Sequence, residues 1–163
     1  MSKFFPAIAL LLALGLSVPV LAGPYEDADA AYYKGDYKTA LRIYRPLADQ
    51  GNARAQFNLG FMYENGRGVP QDYVQAVAWY RKAADHGDAV AQFNLGFMYE
   101  NGQGVPQDYV QAHKWSNLSA AGASTDEKNV RDLAVKNRDI VTAKMTPAQI
   151  AEAQKLASAW KSN

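Results

Sequence analysis

"AQFNLGFMYENGRGVPQDYVQA" occupies residues 55–76, and "AQFNLGFMYENGQGVPQDYVQA" occupies residues 91–112. The two stretches begin 36 residues apart and differ at one position, Arg67 against Gln103. A fixed period between about 20 and 50 residues is the mark of stacked supersecondary units. The period reaches beyond the quoted window. "DYKTALRIYRPLADQG" from Asp36 and "DYVQAVAWYRKAADHG" from Asp72 share Asp, Tyr, Ala, Tyr, Arg, Ala, Asp and Gly in order. "DYVQAHKWSNLSAAG" from Asp108 is a third, drifting copy.

Each copy divides into two helical segments. In the first, Leu59, Gly60 and Tyr63 recur at helical spacing and share a face that points into the stack. Gly66 and Gly68 then end the helix, because glycine adopts the left-handed conformation that closes a C-terminus. Pro70 cannot continue it. Asp72 opens the second helix, where a carboxylate suits the positive end of the dipole. Ala76, Trp79, Ala83 and Ala84 form one stripe there, and the helix stops at His86-Gly87. Gly60 and Ala76 lack bulk, so the two helices approach closely while Tyr63 and Trp79 fill the space around them. One such hairpin cannot bury its own apolar face, and neighbours stacked on both sides do so.

These residues carry a resemblance. Ala55, Leu59, Gly60, Tyr63, Gly66, Gly68, Val69, Asp72, Ala76, Trp79, Tyr80, Ala83, Ala84 and Gly87 resemble, in order, a Sel1-like repeat, the 36-residue relative of the tetratricopeptide repeat. The second copy carries the pattern through Trp115. The resemblance implies an all-α fold, a right-handed α-solenoid of stacked antiparallel hairpins, and a usual role in binding other proteins, often as an adaptor. It also raises an alternative. Some cysteine-rich secreted members are described as penicillin-binding or β-lactamase-like, which would make the chain a protein that binds or hydrolyses cell-wall peptides or β-lactams. Those members carry cysteine pairs in each repeat, and this chain has no cysteine.

The ends of the series depart from the period. "YEDADAAYYKGDY" has only Gly35 where later copies have a long Gly-Val-Pro turn, and Pro46 is predicted to kink or break its helix. In the third copy Ser116 replaces the tyrosine, and the closing glycine moves one place to Gly122. Two segments outside the repeat follow. "STDE" at Ser124 and "TPAQ" at Thr146 read as capping boxes, with Pro147 tolerated at the first helical position. Ile150, Ala153, Leu156, Ala157 and Trp160 make an amphipathic stripe. The expected organisation is a signal peptide over 1–22, a degenerate N-terminal hairpin over 23–52, repeats over 53–88 and 89–124, and C-terminal capping helices over 125–163.

The signal peptide is read from "MSKFFPAIALLLALGLSVPVLA": Lys3, then an apolar run, then Val20 and Ala22 at the small-residue cleavage positions. The run is too short for a convincing membrane span. The expectation is a mature chain beginning at Gly23, secreted, and periplasmic in a bacterium. Lys3 is the one charged residue before Gly23, so 17 Lys+Arg and 16 Asp+Glu become equal numbers after cleavage. A neutral chain has no bulk attraction for nucleic acid or anionic membrane. Without cysteines there is no disulfide framework, and stability has to come from packing.

Catalytic chemistry leaves no motif. His86 and His113 have no partner at metal-ligand spacing and are expected to be solvated surface residues. The glycines of "NGRGVPQD" do not follow a strand and lack the lysine of a phosphate loop. No nucleophile motif is present, and the Asp126-Glu127 pair is accounted for as helix-start charge. The chain is therefore expected to be no enzyme and to need no cofactor or metal.

The first helix of each hairpin is expected to line the concave side. Its face turned from the stack carries Arg54, Phe57, Asn58, Phe61, Glu64 and Asn65 in one copy, and Val90, Phe93, Asn94, Phe97, Glu100 and Asn101 in the next. The four phenylalanines after Gly23 all lie there. Such an aromatic groove suits another protein or a peptide segment. Asn58 and Asn94, able to donate and accept at once, would form a ladder holding a partner's backbone. Phe57 and Phe93 read equally well as core between hairpins.

Overall fold

The computed structural model describes residues 23–162, all of the secondary structure of which is helical. The predicted signal peptide lies outside the described residues. Eight α-helices follow in order: α1 Pro24–Tyr33, α2 Tyr37–Asp49, α3 Ala53–Asn65, α4 Tyr73–Asp85, α5 Ala89–Asn101, α6 Tyr109–Gly122, α7 Lys128–Thr142 and α8 Pro147–Ala159. A short 3-10 turn at Thr125–Glu127 leads into α7. Helices α1 to α6 pack in consecutive hairpins, and each hairpin's second helix packs on the first helix of the next. This is an α-solenoid.

The local causes are those the repeat requires. Side chains at Asp36, Asn52, Asp72, Asp88 and Asp108 each accept a backbone N–H in the following helix's first turn, satisfying donors that have no partner within the helix. Gly66 and Gly102 close α3 and α5 with φ of 65° and 66°. Gly68 is needed for a second reason: a Cβ there would lie 2.8 Å from the carbonyl oxygen of Tyr37, at the start of the preceding hairpin's second helix. The long turn of one repeat thus lies directly on its predecessor. Gln71 and Gln107 latch that turn by donating to the carbonyls of Glu64 and Glu100, at 2.8 and 2.7 Å.

Burial follows the predicted stripes. Leu59, Ala76, Ala83 and Ala84 are fully enclosed, and Trp79 nearly so. One core cluster runs through α1 to α4 and a second through α4 to α7. A Cβ on Gly60 would meet the ring of Tyr80 at 2.6 Å, so the missing side chain at 60 is what lets that ring lie between the helices. Successive hairpins are tied by a recurring pair. Arg45 on α2 donates to the Tyr63 hydroxyl on α3 at 2.7 Å, and Arg81 on α4 donates to Tyr99 on α5.

Two expectations need correcting here. Pro46 does not break α2, which runs on to Asp49. It stands in the last turn, and both it and Arg42, whose carbonyl loses its helical donor, are exposed, so water can satisfy that carbonyl. His113 is not a solvated surface residue but 4% exposed. It occupies on α6 the place that Val77 holds on α4, and α7 covers it. His86, at the C-cap of α4, is exposed.

The C-terminal region ends the period in a particular way. Helix α7 packs along α6, as a further first helix would, but it also touches α5, which successive first helices of the repeats do not do to that extent, and α8 lies on α6 and does not pair with α7. The reason is visible at Ser116. In the preceding copy the Tyr80 hydroxyl donates to Glu64 at 2.6 Å. Where Ser116 replaces that tyrosine, Asn137 of α7 donates to the Ser116 hydroxyl at 3.0 Å. Glu100, the counterpart of Glu64, takes Lys144 as its partner at 2.9 Å. The vacated volume and the vacated carboxylate are both served by α7 and its exit. Both capping boxes form: the Ser124 N–H donates to Glu127 at 2.9 Å, and Thr146 and Gln149 bond reciprocally.

Candidate binding groove

Two adjoining cavities open on the side formed by the first helices. One, of about 240 Å³, is lined by Asp29, Tyr32, Tyr33, Tyr44, Phe57, Asn58 and Phe61. The other, of about 400 Å³, is lined by Tyr25, Asp29, Tyr33, Arg54, Phe57, Asn58, Asp88, Val90 and Glu127. They share Asp29, Tyr33, Phe57 and Asn58. Together they run from α1 across α3 to the start of α5 and the turn before α7.

The aromatic walls are built at helical spacing. Phe57 and Phe61, one turn apart, stack with centroids 6.3 Å apart, and Phe57 leans on the buried Tyr80 ring at 5.6 Å. Both are half-buried: each is inner wall and groove surface at once. Phe93 is likewise half-buried, while Phe97 is 43% exposed. Arg67 covers Phe61, with its guanidinium carbon 5.3 Å from that ring and within 5.6 Å of Tyr32 and Tyr37. The single residue that separates the two long copies therefore fastens the N-terminal hairpin to the stack.

The polar residues of the groove are mostly engaged. Asn58 donates to the Tyr25 hydroxyl at 2.9 Å and to Asp29 at 3.4 Å. Its amide hydrogens are spent on α1, so the expected asparagine ladder for a partner backbone does not form at that rung. Asn94, the next rung, is half-buried. Asn65 and Asn101 are exposed but donate to the carbonyls of Phe61 and Phe97 on their own helices, each at 2.8 Å. Glu64 accepts from Tyr80. Glu100 is buried beside Lys144 and faces no guest. Arg54 is exposed, its guanidinium carbon 4.5 Å from the Tyr25 centroid.

Electrostatics sharpen the picture. Tyr44 donates to Asp29, and burial together with that carboxylate pushes the Tyr44 hydroxyl far above its ordinary pKa. Burial, then Asp29, raises Tyr25 as well. Burial raises the Asp88 carboxyl, with Glu127 adding to it. Carboxylates thus outnumber cations around the larger cavity.

Sequence reasoning missed the α1 contribution. Tyr25, Asp29, Tyr32 and Tyr33 recur at i, i+4, i+7 and i+8, which places them on one helix face. The signal was present, but the hairpin's short turn puts these residues outside the 36-residue register that directed attention to α3 and α5. Among the described residues, no group of three or more His, Cys, Asp or Glu is placed to hold a metal ion. No helix among them is long and apolar enough to cross a membrane.

Comparison with known proteins places this geometry. The family model described as Sel1 repeat matches residues 25–52, 53–88 and 89–124. A protective antigen of uropathogenic Escherichia coli strains, displaying an SLR fold, superposes with a TM-score of 0.75 at 32% identity, over 84% of this chain and 29% of that one. A Sel1 repeat protein from Oxalobacter formigenes superposes with a TM-score of 0.57 at 38% identity, over 67% of this chain and 85% of that one. An ERAD-associated E3 ubiquitin-protein ligase component of Arabidopsis thaliana, HRD3A, is 45% identical over 47 residues, 26% of this chain and 7% of its own. Rat DAP3-binding cell death enhancer 1 is 45% identical over 38 residues, 23% of this chain and 8% of its own. The chain therefore spans less than a tenth of these curated relatives. Proteins built of such repeats typically serve as scaffolds for protein interaction. With three consecutive matches over more than half its length and a solenoid of the same build, the chain belongs to the Sel1 repeat family.

Proposed function

We propose that this protein is a non-enzymatic adaptor of the bacterial envelope, exported by its N-terminal segment, that holds an extended or helical segment of another protein along the face lined by α1, α3 and α5. The observation that carries this reading is the continuous pair of aromatic cavities walled by three successive hairpins. A surface of this kind has what interface centres need: rings half-buried in rigid packing, ready to lose their remaining water against a guest. Tyr33, 84% exposed, lines both cavities, and Phe97, exposed on α5, stands on the same proposed face outside them. The acidic bias of the larger cavity has the wrong sign for a phosphate backbone. The E3 ligase component and the DAP3-binding protein, named for their assemblies, support the same general use of the repeat.

The competing enzymatic reading asks for a nucleophile with a base. Neither groove cavity is lined by a serine, threonine, histidine or lysine. Turnover of a chromogenic β-lactam by the purified protein would restore that reading.

In-cell photocrosslinking tests the proposal. A photoreactive residue is placed at Tyr33, at Phe97, and at Ala78 on the exposed side of α4. The expected result is one envelope protein captured from both groove positions and not from Ala78. Equal capture at all three, or capture at Ala78 alone, overturns groove binding.

A further inference from the structure

This chain repeatedly sets its own cations on aromatic faces. The Arg54 guanidinium carbon lies 4.5 Å from the Tyr25 centroid. Arg67 sits among Tyr32, Tyr37 and Phe61. Between these two guanidiniums lies the region shared by both cavities: Asp29, Tyr33, Phe57 and Asn58. Among the described residues, no lysine or arginine of the chain lies over the Tyr33 or Phe57 ring. The partners of Asp29 are neutral, the Tyr44 hydroxyl and the Asn58 amide. None of Asp29, Asp88 and Glu127 is within ion-pair distance of a cation among the described residues.

We propose that the Asp29–Tyr33–Phe57 junction seats a lysine or arginine side chain of the bound segment, an inference that rests on the groove-binding reading above. The charge complementarity selects the occupant. A cation over ring faces gains attraction that grows as water leaves, and a charge-assisted hydrogen bond to a carboxylate adds to it. An apolar side chain would cover Asp29 without giving it a partner, which is costly. An acidic one would meet the Asp29 carboxylate, with Asp88 and Glu127 lining the adjoining larger cavity. The internal donors from Tyr44 and Asn58 fix the Asp29 carboxylate in place while leaving its charge uncancelled, so the seat is organised before the guest arrives.

The test is a titration of the purified protein with Nα-acetyl-lysine methylamide, followed by NMR at the Asn58 side-chain amide and the Tyr33 ring. Nα-acetyl-norleucine methylamide is the neutral probe and Nα-acetyl-glutamate methylamide the anionic one. Saturable shifts with the lysine probe alone are expected. Asp29→Asn keeps an oxygen to accept from Tyr44 and Asn58, and is expected to weaken the lysine probe at least about tenfold. Tyr33→Ala removes an exposed ring with no core role and is expected to weaken it about threefold. Equal shifts from norleucine, or lysine affinity unchanged in Asp29→Asn and in Tyr33→Ala, overturns the seat. Capture at Phe97 in cells with no lysine binding in solution sinks the seat and spares the groove. Lysine binding with no capture at Phe97 supports the seat and counts against the groove.

Discussion

Gly60 and Gly96 occupy the same place in the two long copies, yet their neighbours differ. A Cβ on Gly60 would press on Tyr80 at 2.6 Å, and that ring is buried with its hydroxyl bound to Glu64. A Cβ on Gly96 would meet the Ser116 hydroxyl oxygen at 2.6 Å and the Ala112 carbonyl oxygen and Ser116 nitrogen at 3.2 Å, and swinging that buried hydroxyl away would break its bond from Asn137. Alanine gains about 1 kcal/mol of helix propensity at either site, against an overpacking cost of about 1–3 kcal/mol where nothing yields. Gly60→Ala and Gly96→Ala are therefore both expected to lower the urea midpoint. An unchanged midpoint in either variant would show that the facing side chain can move. The smallness of residue 60 was legible in the sequence. Its consequence was not, because it depends on which atom faces it from α4.

At the scale of the helix, Arg67 decides whether α1 stays on the stack. Its guanidinium touches Tyr32 on α1, Tyr37 on α2 and Phe61 on α3. Arg67→Gln, which makes the two long copies identical in this window, is expected to cost about 1–2 kcal/mol. The loss should appear as faster amide hydrogen exchange across α1, with α5 and α6 unaffected. Uniform loss of protection would mean that α1 does not open by itself. The sequence pointed to Arg67 as the odd residue but gave no role for it, because two of its three partners lie in the hairpin whose turn length breaks the register. Helix starts were legible for the opposite reason. Aspartate before Tyr37, Tyr73 and Tyr109 is a local cap that needs no knowledge of neighbours. Pro46 misled because its cost depends on whether the freed carbonyl meets water.

Across the whole molecule, the order of hairpins follows from the 36-residue period, and the seating of the C-terminal helices does not, since no register extends there. The buried His113 reports on that seating. Burial holds its pKa below the ordinary 6.5, with Arg138 lowering it further and Asp139 opposing. As pH falls through 6.5 the unfolded chain takes up a proton before the folded one does, so this residue's contribution reduces stability on the acid side and is flat above. Unfolding free energy is expected to fall between about pH 7 and pH 5. His113→Val, the residue its counterpart Val77 already uses, should flatten that slope; a slope unchanged in the variant would place the titrating group elsewhere. Ser116 has a consequence for how such a chain can lengthen. A duplicated segment spanning 53–88 would present each neighbour with nearly the residues it already meets, Arg54 and Arg67 standing where Val90 and Gln103 do, and the protein would gain a hairpin. A duplicated segment spanning 89–124 would set Ser116 and Glu100 beneath another first helix, which offers neither Asn137 nor Lys144. Growth by duplication is open upstream of Ala89 and closed behind it, so longer descendants are expected to keep one Ser116-type repeat, always last.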